Sequence, residues 1–310
     1  MKKRKVILDC DPGHDDAIAI MMLGKHPQFE LLGITVECGN QTLEKTGKNA
    51  LNLCQYLEID VPICLGVPYP LIKEVEVCEV IHGKSGLDGF DFLELTKEYD
   101  NRHALNFIID TLLASDENIT IVSTGPMTNL ALAMKIEPRI LPRIHEVIVM
   151  GGSINNGNVT PAAEFNINCD PEAAYIVFNS GCIIKMFGLD VTRQVKVLPD
   201  VLDRMAQIDN SASKLFVQLM EVFNINQKRV FGFDGAPLHD PVTIAYLIDS
   251  SVCELKHVHC DIDISRGVSY GRTNIDVFDY LKLPKNIFVA TSIDVSKYWD
   301  IIEQSIKLYN

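Results

Sequence analysis

Apolar and polar positions along the first two-thirds of the chain alternate between two periods. Short runs rich in β-branched residues, Val6–Asp9, Leu31–Val36, Ile63–Leu65, Ile119–Ser123, Glu146–Met150 and Ile183–Phe187, read as strands. Between them lie stretches with helical spacing. One runs from the Pro12-Gly13 turn to about Lys25, and another covers Thr42–Leu57 with Leu43, Ala50, Leu51 and Leu53 on its apolar side. His103–Ser115, Thr128–Lys135 and a segment opening at Pro171-Glu172 continue the series. Such alternation predicts an α/β fold: a mostly parallel, Rossmann-like open sheet with helices on both faces. No repeat or low-complexity linker divides residues 1–310, so one domain is expected.

Two stretches break the rhythm. Gly66–Asn101 has turn residues and scattered charges, and Ser153–Asp170 is rich in Asn and Gly. Long loops inside a compact domain are commonly functional. In a parallel sheet, the loops that follow the strands' carboxyl ends line the ligand crevice.

Composition narrows the class. The chain is 47% hydrophobic and 22% charged, which excludes disordered, collagen-like and coiled-coil proteins. Lys and Arg number 28 against 41 Asp and Glu, a net charge of −13. No basic patch appears beyond the opening Lys2-Lys3-Arg4-Lys5, so neither a nucleic-acid polymer nor an anionic membrane is an expected partner. Apolar runs such as Ala17–Leu23 fall far short of the roughly 18–20 residues that span a bilayer. Nine cysteines, an odd count with no CxxC pair, several of them inside apolar runs, read as reduced thiols. The basic start runs straight into a strand and an acidic motif without an apolar h-region, so a cytoplasmic protein is expected.

The segment VILDCDPGHDDAIAI concentrates Asp9, Asp11, Asp15 and Asp16. Asp9 and Asp11 share a side of an extended chain. Asp15 and Asp16 open a helix, where a carboxylate alone would read as ordinary capping. Four together are different, because close carboxylates raise one another's pKa unless a cation sits among them. No Lys or Arg occurs between Asp9 and Lys25, so a hard divalent cation, Ca²⁺ or Mg²⁺, is the economical partner. A metal beside carboxylates suits hydrolysis by activated water, with Asp11 as the expected base.

DCDPGHDD after an N-terminal strand resembles the nucleoside hydrolases, Ca²⁺-dependent N-ribohydrolases. The resemblance continues in order through GITVECGNQT, IHGKSGLDG, STGPMTNLALA, VIVMGGS, GNVTPAAEFNINCDPEAA and PLHDP, over nearly the whole chain. It implies that Asp11, Asp16 and Asp240 bind Ca²⁺ through carboxylates and Thr124 through its carbonyl, with Asp9 orienting the site from behind. It implies ribose contacts for Asp15, Asp240, Asn40, Asn158, Glu164 and Asn166, with Met150 under the sugar. Glu164 and Asn166 would point the same way if locally extended, with Phe165 opposite. His239, beside Asp240, and His82 are the candidates for helping the base leave. His14 is expected to point away from the site, and the His257–His259 pair to be surface residues.

The pattern is closest to the pyrimidine-preferring branch, with Gln227 and the two histidines on the base side. Phe231 stands where a Tyr is typical, and Val80 where a polar residue is expected, so broad inosine–uridine cleavage stays open. The resemblance also implies a homotetramer and a small ribonucleoside as substrate. Two rivals share parts of the pattern. A haloacid-dehalogenase-type phosphatase would use Asp9 as nucleophile, Asp11 as acid and base, and Thr124 against phosphate; a nucleoside-binding protein would have lost turnover.

Overall fold

The protein, described over residues 2–309 in a computed structural model, is organised around one nine-stranded sheet and a two-stranded ribbon. In chain order the strands are β1 (Arg4–Cys10), β2 (Phe29–Val36), β3 (Ile63–Leu65), β4 (Ile119–Ser123), β5 (Ile144–Met150), β6 (Ile184–Phe187), β7 (Lys196–Val197), β8 (Ala236–Pro237), β9 (Cys253–Ile262), β10 (Thr273–Asp276) and β11 (Ile287–Ile293). The large sheet runs β10-β9-β11-β6-β5-β4-β1-β2-β3, and β7 pairs with β8. From β11 to β3 every pairing is parallel; β9 and β10 are added antiparallel at one edge. The expected strands and helices of the first two-thirds are present with ends moved by a residue or two. The antiparallel edge lay outside the sequence-based expectation.

Alternation along the central strands divides the core between the two faces. Val6 and Leu8 of β1 pack on one side with Val122 and Ile148, while Ile7 faces the other side with Ile121, Val147 and Val149. The first face is covered by the helices His14–Gly24, Leu43–Tyr56, Ser211–Phe231, Pro241–Ile248 and Val295–Ile306. The second is covered by Ala104–Ala114, Thr128–Ile136 and Pro171–Phe178. The helix His14–Gly24 is buried from His14 through Leu23, so its apolar residues extend all round rather than along a stripe.

The order of strands locates the crevice. From β1 the chain steps outward to β2 and β3, then returns to the opposite side of β1 with β4, β5 and β6. Loops leaving β1 and β4 therefore diverge, and the gap between their carboxyl ends is where an open α/β sheet receives a ligand. Asp9 pairs with Ser123 across these two strands, and the Thr124 N–H donates to the Asp9 carbonyl at 2.9 Å. Asp11 and Thr124 thus leave neighbouring strand ends together.

The long segments expected as loops are mostly loops. Residues 66–101 carry one helical turn, Glu79–His82. The end of the 153–170 segment is helical over Phe165–Cys169, capped by the Glu164 carboxylate, which accepts from the N–H groups of Asn166 and Ile167. Both loops are pinned to the sheet edge. Asp170 accepts from Leu71 N–H and the Thr128 hydroxyl at 2.8 Å each, and Asn129 Oδ1 accepts from Val67 N–H.

Ile148, fully buried on the central strand β5, tests this core. Ile148→Ala should cost about 2–5 kcal/mol of unfolding free energy in urea titrations, the usual range for a buried aliphatic truncation.

Candidate active site

The site begins with the end of β1. Asp9 and Asp11 follow the strand into the crevice, Pro12-Gly13 turns the chain, and Asp15 and Asp16 enter the first turn of the helix His14–Gly24. Asp9, Asp11 and Asp16 have no solvent exposure, and Asp15 and Asp240 are buried. Asp240 arrives from elsewhere, as the residue before the helix Pro241–Ile248. Carboxylate oxygens of Asp15, Asp16 and Asp240 lie within 4.8 Å of one another, close enough for a single ion.

Neutral donors meet part of this negative charge. Asp9 Oδ1 accepts from the Thr35 hydroxyl at 2.6 Å and Asn129 Nδ2 at 2.9 Å. Asp11 Oδ2 accepts from Asn40 N–H at 2.6 Å. Asp16 accepts from the Thr124 hydroxyl, Gly13 N–H and Asn40 Nδ2 at 2.8, 3.0 and 3.1 Å. Asp9 Oδ2 and Asp11 Oδ1 are buried without any partner. No Lys or Arg is among the residues lining the pocket above. Gly39 is required beneath it, since a Cβ there would lie 2.0 Å from Asp11 Oδ2.

The carboxyl groups respond accordingly. Burial pushes Asp9 up to about 6, against the pull of Thr35 and Asn129. Burial, then the Asp16 charge, raises Asp15 to about 7. Asp11 is driven well above the ordinary range by burial and then by Asp16; Asp240 by burial and then by Asp15 and Asp16. Asp16 is also raised by burial, though its hydrogen bonds oppose the shift. An orphaned buried oxygen, an all-oxygen donor set and uncompensated charge fit a hard divalent cation.

Above this floor lies a pocket of about 550 Å³, counted to its mouth. Of the residues singled out from sequence, Asp15, Asn40, His82, Thr124, Met150, Asn158, Glu164, Asn166, Gln227, Phe231, His239 and Asp240 line it. Asp9, Asp11 and Asp16 do not line it. Asn166 Nδ2 donates to the carbonyls of Thr124 and Met150 at 2.8 and 3.1 Å, joining the helical turn to the ends of β4 and β5. Gln227 and Phe231 come from the last turns of the helix Ser211–Phe231, and Gln227 Oε1 is buried without a partner. His239 is buried, with Nδ1 2.7 Å from the Thr192 hydroxyl, and burial lowers its pKa to about 3.

Two expectations need correction. Glu164–Asn166 is not extended: Glu164 caps a helical turn, and Phe165 lines the pocket together with Glu164 and Asn166 rather than opposing them. Val80 is 60% exposed and outside the pocket, so it exerts no direct choice over a ligand. His14 does not line the pocket, but it contacts His82 directly. His257 is exposed and His259 pairs with Asp261 at 3.0 Å, both as surface residues.

Several site residues carry no mark in the sequence. Phe223, Ile81, Cys78 and Val159 complete the pocket wall as unremarkable apolar positions. Glu37 was legible in principle, as the one acid ending the apolar strand run ITVE. Its buried carboxylate accepts from Met127 N–H at 2.7 Å and Asn129 N–H at 2.9 Å, and Met127 is held there at φ 68°. Glu37 therefore shapes the turn that follows Thr124.

The chain belongs to the inosine-uridine preferring nucleoside hydrolase family, whose pattern matches residues 6–300. It is 48% identical over 309 residues to the pyrimidine-specific ribonucleoside hydrolase RihB of Escherichia coli O1:K1 / APEC, covering 100% of this chain and 99% of that one. Among solved structures it is similar to a purine-preferring ribonucleoside hydrolase from Gardnerella vaginalis, with a TM-score of 0.90, 31% identity and coverage of 98% and 99%. The plant nucleoside hydrolase PpNRh1 gives a TM-score of 0.92 at 28% identity, covering 99% of each chain.

Two outcomes follow from the site. Glu37→Gln leaves a buried backbone N–H facing an amide donor, and should cost about 1–3 kcal/mol in chemical denaturation, the range for a buried donor left unsatisfied. The raised carboxyl groups bind protons more tightly in the folded than in the unfolded chain. Without a divalent ion, the raised carboxyl groups should therefore lower stability as pH rises from about 4 to 7, by about 1.4 kcal/mol per pH unit for each proton. They outnumber the buried His14, His82 and His239, whose lowered pKa acts the other way below about 6.5. Thermal melts in a chelator check this; a rise in stability over that window would contradict it.

Proposed function

We propose that the protein is a Ca²⁺-dependent N-ribohydrolase that cleaves ribonucleosides to ribose and free base, with a preference for uridine and cytidine. The observation that carries this reading is the buried carboxylate cluster under a pocket with two histidines in its wall. Family membership and the 48% identity to a pyrimidine-specific enzyme support it.

Asp16, Asp240 and Asp11 would hold the cation through carboxylates and Thr124 through its carbonyl. The mutual proximity of Asp15, Asp16 and Asp240 supports a ligand role for Asp16 and Asp240, and Asp15, which lines the pocket, would face the ribose. When bound, Ca²⁺ supplies a Lewis acid that lowers the pKa of water and orients ribose hydroxyls. Asp9 acts from behind, tied to Thr35 and Asn129.

Asp11 takes the proton from the attacking water. Its unpartnered Oδ1 is free to accept, and its burial keeps it basic for a carboxylate. Water oxygen bonds to C1′ while the C1′–N bond breaks, its electron pair passing to the base. The sugar becomes cation-like in that step, and the surrounding acidic groups favour positive charge. Asp15, Asn40, Asn158, Glu164 and Asn166 bind the ribose hydroxyls, with Met150 beneath the ring. His82, His239, Gln227 and Phe231 face the base. A phosphatase reading finds no cationic side chain in the pocket for a phosphate.

Reducing-sugar release from uridine, cytidine, inosine and adenosine, with Ca²⁺ and after chelation, tests the reading. Metal-dependent release, fastest from the pyrimidine nucleosides, is expected; no release from any of the four by folded, Ca²⁺-supplied protein would overturn it. Asp11→Asn should keep substrate binding and lose at least about two orders of magnitude in kcat. Near-normal turnover in that variant would remove Asp11 as the base.

A further inference from the structure

Two segments of the pocket wall are joined by a buried amide that none of these roles uses. Glu79–His82 is a single helical turn, so the carbonyls of Val80 and Ile81 find no N–H donor within it. The helix Ser211–Phe231 supplies both. Asn226 Nδ2 donates to the Ile81 carbonyl at 2.9 Å, and Arg229 donates to the Val80 carbonyl at 2.9 Å. Val80 and Arg229 are exposed, whereas Asn226 and Ile81 are buried. The inner bond is therefore shielded from water that would compete for the carbonyl. A carbonyl can only accept, so the Asn226 amide has one orientation here.

The neighbours of the two partners give that bond its consequence. Ile81 directly precedes His82, Asn226 directly precedes Gln227, and both His82 and Gln227 line the pocket. Phe223, one turn before Asn226 and Gln227 on the buried side of the helix, packs on the His82 ring with centroids 5.4 Å apart. Ring and amide thus hold the turn from adjacent positions of one helix face. The helix does not itself rely on Asn226. Asn224 donates to the Val197 carbonyl at 3.0 Å and accepts from Ala236 N–H at 2.6 Å, which ties the helix to both strands of the β7–β8 ribbon. The turn's other backbone ties lie at its ends, from Cys78 N–H to the Asn40 carbonyl and from Gln41 Nε2 to the Gly83 carbonyl, each 3.1 Å. Loss of the Asn226 amide would free the middle of the turn and leave the helix in place.

We propose that Asn226 is a positioning residue that fixes the separation of His82 and Gln227, so that the two side chains meet the nucleobase as one preorganised pair. This rests on the ribonucleoside-hydrolase reading, in which both face the base. A pair held in place before binding loses little freedom when the base arrives. A shifted turn would misplace His82 against Gln227 and weaken both contacts together.

Asn226→Leu removes the donor at nearly constant volume. Amide hydrogen exchange of the Ca²⁺-supplied variant should quicken over residues 79–83 and stay unchanged over residues 9–16. For uridine, kcat/KM should fall on the order of tenfold, the scale of one hydrogen bond. For 4-nitrophenyl riboside, whose leaving group has no ring nitrogen or ring carbonyl, it should change far less. In a double-mutant cycle with Gln227→Ala, the two losses on uridine should fall well short of adding, because either change already breaks the pair. A merely structural role would lower turnover of both substrates alike and add to Gln227→Ala. Unchanged exchange over residues 79–83, equal losses on the two substrates, or additive losses would each overturn the proposal. Should the leucine variant not fold, Asn226→Ala, a good helix former that also lacks the donor, carries the same expectations. If the unaltered protein cleaves neither substrate, the hydrolase reading fails, and hydrogen exchange still decides whether Asn226 holds the turn.

Discussion

Negative charge buried without positive side chains is the constraint on which the site depends. Asp9, Asp11, Asp15, Asp16, Glu37 and Asp240 are all removed from water near the ends of β1 and β2. Thr35, Asn40, Thr124, Asn129 and backbone N–H groups answer some of that charge, and two carboxylate oxygens remain unanswered. Isolated buried carboxylates respond by becoming neutral, which is the direction in which all of these groups are shifted. An arrangement this costly to leave uncompensated fits a protein that binds a cation.

The fold concentrates the cluster by topology rather than by local sequence alone. At the point where the chain reverses its direction across the sheet, the ends of β1 and β4 part, and loops from β2 and β5 close over the gap. The first helix then aims its N-terminus at the same place, so its unpaired N–H groups face Asp16 and His82. One helix end thereby touches both the charged floor and the pocket wall that carries His82. Glu37 and Asp170 hold the neighbouring turns, so the pocket's walls are tied to the sheet by carboxylate–backbone hydrogen bonds.

Much of this was legible in the sequence because strand ends carry the chemistry. The motif DCDPGHDD joins a buried strand to a helix in a few residues, so its spacing fixes the site's floor. The residues expected to touch ribose are far apart in sequence, yet they line one pocket because each follows a strand end or stands just before or in the first turn of a helix. What periodicity missed is tertiary. Strands β9 and β10 pair antiparallel at an edge, where half-exposed residues give a weak signal. The turn Phe165–Cys169 is too short for a helical period to show, and its cap comes from Glu164, a residue read as a ligand contact. Val80 sits in a motif-bearing loop but faces outward. The His14–His82 contact joins residues 68 apart in sequence, and no local pattern reports it.

One wall of the pocket combines Gln227 and Phe231 with His82 and His239, and the ring at position 231 offers no hydroxyl. Cation binding is the deeper requirement, and calorimetric titration of Ca²⁺ near pH 6.5, in two buffers of different ionisation enthalpy, probes it most directly. Binding with net release of protons is the expected result, because the carboxyl groups of Asp11 and Asp240, driven well above the ordinary range chiefly by burial, must ionise around the ion. Absence of binding, or binding with no proton released, would contradict the cation-centred site.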